Sequence, residues 1–160
     1  LRRDGVQQIC DLADKARASG AHTLAMATEI APGVPFAASL VGRDVEWPEV
    51  EVESDEVAVR LGRAFPGSEL RELPAGVAAR TRASGVLRGK EEQASSVEVL
   101  YRIPRPDSDR LLALRFTAPD FGSADTIAQL FDAIAGSVEF VRRRVGAHVG
   151  AAAPHQEGED

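Results

Sequence analysis

The sequence predicts an α+β domain: an antiparallel sheet of about six strands with helices packed on it, in the order α-β-β-α-β-β-β-β-α. Three observations carry this. Val97, Val99, Tyr101 and Ile103 alternate with Glu98, Leu100 and Arg102, the period-two signature of a strand with one buried face. After the turn-forming run Pro104-Arg-Pro-Asp-Ser-Asp109, Leu112, Leu114 and Phe116 repeat that alternation, and so short a link between strands makes them antiparallel neighbours. Ile127, Leu130, Phe131, Ile134, Val138 and Val141 then recur at helical spacing, which predicts a helix lying across the hairpin.

In chain order, residues 4–19 form the first predicted helix. Asp4 caps it, Gln7 completes a capping box, Val6, Ile9, Cys10, Ala13 and Ala16 make a narrow apolar stripe, and Gly20 stops it. Residues 21–30 and 36–43 read as a hairpin around Pro32-Gly33. Leu24, Met26, Thr28 and Ile30 share one face; Thr23, Ala25, Ala27 and Glu29 share the other, where the small side chains leave room for the first helix. Residues 44–56 are acid-rich. Glu49-Val-Glu-Val-Glu53 alternates strictly, as an edge strand with its acids outward does. Ser54 then caps a second helix running to Ala64, with Val57, Leu61 and Ala64 inward.

Residues 69–73 are a short strand between two turns. Residues 77–88 are a long one: Val77, Ala79, Thr81, Ala83, Gly85 and Leu87 face one way, Arg80, Arg82, Ser84 and Arg88 the other. The closing helix has Ser123 as its cap and Asp125 in its first turn, facing the positive end of the dipole. Residues 1–141 thus read as one domain. Residues 142–160, rich in Ala, Gly and charge and without periodicity, read as a disordered tail.

Composition bounds the function. Aromatics are only 5%, so the core rests on aliphatic side chains. The net charge of −6 argues against non-specific binding to nucleic acid or to an anionic membrane. The chain shows no signal peptide and no membrane-spanning run, which reads as a cytoplasmic protein, although it does not begin with Met. Cys10 is the single cysteine, and His22, His148 and His155 have no metal-ligand spacing, so no cofactor or metal is expected. A Cys10–His22 pair or a Ser39–His22–Asp44 triad would be needed for nucleophilic catalysis. A thiol on an apolar helix stripe reads as core, and no nucleophile elbow surrounds the serine.

The feature that stands out is charge contrast. Arg80, Arg82 and Arg88 line one face of the long strand, and Arg102 and Arg115 lie on the outward face of the closing hairpin with Glu98 among them. On adjacent strands these guanidinium groups share one sheet face. That face would dock an acidic partner, or Glu49, Glu51 and Glu53 of a second copy.

The element order and the closing core residues resemble the Mog1/PsbP-like α/β sandwich group, especially its small actinobacterial members. The resemblance spans residues 21–141. It is carried by the hairpin 21–43, the helix before Phe65-Pro66-Gly67, the four following strands, Leu111-Leu-Ala-Leu-Arg-Phe-Thr-Ala-Pro119 and Leu130-Phe-Asp-Ala-Ile134. It implies that fold and an accessory, partner-binding role, as in a photosystem extrinsic subunit and a nuclear-transport factor of the group. It carries over no binding residue, and the helix 4–19 and the segment 46–56 depart from it. The function expected is therefore a non-catalytic accessory or protein-interaction domain, self-associating or docking a protein partner through charged sheet surfaces. The alternative is a small-molecule-binding protein or enzyme with a pocket between sheet and helix near Trp47, Tyr101 and Phe121.

Overall fold

The computed structural model describes residues 2–51, 56–88, 93–120 and 122–141. Helix α1 (Arg2–Ala18) leads into strands β1 (Ala21–Ala31) and β2 (Val34–Glu46). Helix α2 (Val57–Ala64) follows, then strands β3 (Glu69–Leu73), β4 (Gly76–Arg88), β5 (Gln93–Pro104) and β6 (Arg110–Pro119), and helix α3 (Ala124–Ala135). The class is α+β, as expected. All six strands join one sheet in the order β1-β2-β6-β5-β4-β3, and every pairing is antiparallel.

The last strand lies in the middle, between β2 and β5, because it is apolar on both faces. Leu112, Leu114 and Phe116 serve one side, while Leu111 and Ala113 serve the other. A strand of that kind needs cover above and below.

Helix α3 supplies the first cover. Val97, Val99, Tyr101 and Ile103 of β5 join Leu114, Phe116 and Ala118 of β6 and Ile127, Ala128, Phe131 and Ala135 of α3 in the main core. Phe116 and Phe131 stack with ring centroids 5.0 Å apart, and Tyr101 meets Phe116 edge-on at 6.1 Å. On the opposite face α2 plants Leu61 against Ala79 and Leu111, with Val45, Trp47, Phe65 and Val77 around them. Helix α1 lies over that second face too, beside β1.

Several expectations need correction. Helix α3 ends at Ala135, not near Val141: Gly136 caps it, and the Ser137 hydroxyl donates to the Ile134 carbonyl. Val138 and Phe140 still pack on the core, but from irregular backbone. Ser123 makes no side-chain cap; instead the Asp120 carboxylate accepts from the Gly122 and Ser123 amides. Strand β2 ends at Glu46, so Glu49 and Glu51 lie in irregular chain after Trp47-Pro48, not on an edge strand. Val57 is 44% exposed, not inward. The stripe on α1 does not bury Cys10, which is exposed. Glu53, Ser54, Phe121 and residues 142–160 lie outside the described residues. Among the described residues, no helix is long and apolar enough to cross a membrane.

Candidate functional site

Sheet register decides which arginines meet. Arg80 pairs with Tyr101 and Arg82 with Val99, so both sit on the α3 face. Arg102 is one step along β5 from Tyr101, and Arg115 one step along β6 from Phe116, so both sit on the opposite face. The expected single arginine face is therefore absent, because side chains alternate along each strand. Arg88 closes β4, in register with Gln93.

On the α3 face the arginines are consumed internally. The Arg80 side chain is 10% exposed and donates to Asp132 of α3 through Nε (2.8 Å) and Nη2 (3.3 Å), and to Glu69 through Nη1 (3.2 Å). The Tyr101 hydroxyl donates to the same Asp132 oxygen. Burial works against the Arg80 charge, but the hydrogen bonds and charges of Asp132 and Tyr101 prevail and raise its pKa. Burial and the bond to Asp132 push Tyr101 up to about 12, against a smaller opposing pull from Arg80. A tyrosine that binds its proton more tightly when folded contributes stability fully present below pH 10 and lost as the pH rises through 12. Stability should therefore fall across pH 10–12 with a component that Tyr101→Phe removes; denaturant titrations of both proteins across that range check this. Arg82 meets exposed Asp125 at 2.6 Å, a surface pair.

The opposite face is different. Arg43 of β2 and Arg102 of β5 are both in register with Ala113 of β6, which lies between them. Two strand spacings put their backbones about 10 Å apart. Arg115 is two residues along β6, flanked by Val41 and Leu100. Three arginines thus neighbour one methyl side chain on this face. Helix α1 roofs them with Leu12, Lys15, Ala16 and Ser19, and Leu24, Met26 and Val45 complete an apolar lining. The groove between roof and sheet measures about 650 Å³, and no acidic side chain among the described residues lines it.

The groove's charge is poorly compensated. Arg115 meets Glu98 at 3.4 Å. Arg102 donates to the Thr81 hydroxyl at 3.3 Å and lies 4.3 Å from the Phe65 ring centroid, with no carboxylate partner among the described residues. Burial, and then the Arg115 charge, lower its pKa. An anion beside Arg102 would offset the Arg115 charge and favour the charged guanidinium despite its burial. Arg43 and Lys15 were missed from the sequence, although alternation with Val41 and Val45 puts Arg43 on this face.

Other expected sites do not assemble. His22 Nδ1 shares a hydrogen bond with Thr23 Oγ1 (3.0 Å), and its Nε2 is 3.5 Å from Asp44, which Arg105 also holds at 2.5 Å. Ser39 pairs with Met26, four residues or about 13 Å of strand away from the His22 position, so no triad forms. Of the aromatics expected to share a pocket, Tyr101 is buried under α3, while Trp47 stacks under Arg60 at 4.0 Å beyond β2. Among the described residues no three His, Cys, Asp or Glu side chains are placed to hold a metal ion. No family model matches the chain, and no curated protein is significantly similar to it.

Proposed function

We propose that this chain is a non-catalytic accessory domain that docks an acidic segment of a partner protein in the groove beneath α1. The observation that carries the reading is Arg102: a half-buried cation without a carboxylate, among three further cations in an apolar groove. Lys15, Arg43, Arg102 and Arg115 stand at separate points, with Glu98 offsetting one of them. That excess suits a ligand with several negative charges, as an acidic peptide has, and the lining suits one that also carries apolar side chains. Charge-assisted pairs formed in such surroundings hold both partners strongly. The resemblance to the Mog1/PsbP-like group, whose members include partner-binding accessory proteins, supports the same role.

A second reading has one observation in its favour. The groove is concave, and its volume falls in the range of small-ligand sites. A small amphiphilic carboxylate would place its head among the arginines and its tail along Leu24, Val41 and Leu100.

Arg102→Glu separates both readings from a merely structural arginine. Immobilised wild-type protein should retain an acidic partner from extract of the native cell at low salt and release it near about 0.5 M salt, where charges are screened within a few ångströms. The variant should bind that partner at least about 30-fold more weakly, as loss of a buried charge pair requires, with unchanged thermal stability. Calorimetric titration with dodecanoate tests the small-ligand reading. Retention that ignores both salt and the Arg102→Glu change would defeat the docking role.

A further inference from the structure

The sheet has two free edges, and they differ. Strand β3 is five residues long and carries Glu69, Arg71 and Glu72, a short charged edge of the kind that repels further strands. Strand β1 is eleven residues long, Ala-His-Thr-Leu-Ala-Met-Ala-Thr-Glu-Ile-Ala, with no proline and with Glu29 as its one acid. Its outer rim of backbone amides and carbonyls has no partner strand among the described residues. Large apolar side chains stand exposed along this hairpin: Met26 at 49%, Ile30 at 56% and Val34 at 49%.

Register shifts break β1 at Ala21/Thr23 and again beyond Ala27, so residues 23–27 are its regular stretch, centred on Ala25. Bulges of that kind limit how far a neighbour can pair, but they leave a five-residue template in regular register.

We propose that this edge pairs with the β1 edge of a second copy, antiparallel about a two-fold axis at Ala25, joining two six-stranded sheets into one. The sequence of the strand is what selects a second copy as the occupant. With the axis at Ala25, Leu24 stands opposite Met26 of the other copy, and Thr23 opposite Ala27. Glu29 falls opposite Ala21 rather than against another carboxylate. No pair sets one charge against a like charge, whereas a parallel arrangement would set Glu29 against itself. An isologous contact closes on itself, so it yields a dimer and not a fibre.

The grooves give a second argument. Met26 lines the 650 Å³ groove under α1, and it also lines an apolar groove of about 330 Å³ on the α3 face with Ile30, Phe36 and Ile134. Both run out at β1. A second copy's β1 would wall the open side of each, so Leu24 and Met26 of one protomer would border the binding groove of the other.

The inference stands apart from the docking role, since it needs no acidic partner. Cysteine placement tests it directly. In a Cys10→Ser background, Ala25→Cys puts two thiols opposite each other on the axis, at a cross-strand spacing that a disulfide spans. Mild oxidation should give a covalent dimer, while Leu70→Cys on the β3 edge should give none. Sedimentation of the unmodified chain between about 1 µM and 500 µM, the range of weak to moderate association, should show a monomer–dimer equilibrium. Met26→Lys should weaken it about tenfold or more. A monomer throughout that range, a dimer indifferent to Met26→Lys, or equal cross-linking at Ala25 and Leu70 would each overturn the proposal. Retained dimerisation of Arg102→Glu, with loss of its partner binding, would separate this interface from the groove.

Discussion

Replacing Asp132 with alanine should cost the fold about 3–5 kcal/mol, because it leaves a buried cation with half its partners gone. Arg80 reaches Asp132 through two nitrogens and Glu69 through a third, and only 10% of its side chain is exposed. Without Asp132 the Tyr101 hydroxyl also loses its acceptor. Glu69 is itself half exposed and shared with Arg71, so it offsets only part of the loss. Urea unfolding of wild type and Asp132→Ala measures the difference. The double variant Arg80→Met/Asp132→Leu is the informative control. Removing both charges and restoring apolar volume should recover most of the stability, since a buried pair replaced by well-packed apolar groups is often neutral. A single-variant cost under about 1 kcal/mol would mean that Arg80 finds water once Asp132 is gone, and that the network is not what fastens α3 to the sheet.

That network also shows where sequence reading stops. Along β5 the apolar and polar positions alternate in step with burial, and in β6, apolar on both faces at its start, the bulky Leu114 and Phe116 mark the same side, so strand positions, hairpin and inward face were all legible. Strand β4 offers no such contrast. Ala78 and Ala79 are both fully buried, one on each face, and neither is large enough to declare a side. The rule that charges point outward then assigned Arg80 to solvent. What overrules it is Asp132, 52 residues later on α3, and a pairing over that separation leaves no local trace in the chain. Arg102 and Arg115 were placed rightly opposite Tyr101 and Phe116, because the large aromatics fix the parity of those strands.

The end of α3 failed for a related reason. Val138 does contact the core, so the apolar periodicity was a true signal of burial, but Gly136 and Ser137 had already ended the helix. The groove itself was not legible. It exists because α1 stands off the sheet, and the height of a helix above a sheet depends on side-chain volumes that meet only after folding.

The two faces of the sheet divide the work, and a second large effect follows from that division. Phe131→Ala should destabilise by about 3–5 kcal/mol. The ring is 1% exposed, stacked on Phe116 and enclosed by the α3 face, so its loss removes transfer energy and leaves a cavity. Collapse around that cavity is hindered, because the Phe116 ring is wedged edge-on against Tyr101. Yet no residue of the main core cluster lines the groove beneath α1. The folded fraction of Phe131→Ala should therefore bind an acidic partner with wild-type affinity, while Arg102→Glu keeps wild-type stability and loses binding. Circular dichroism melts and affinity measured well below the midpoint of each variant give the two readouts separately. If Phe131→Ala weakened binding in proportion to its loss of stability, the groove would have to be coupled to the core through β6, whose Leu114 and Phe116 face one way and whose Ala113 and Arg115 face the other. The division of labour between the faces would then be untenable.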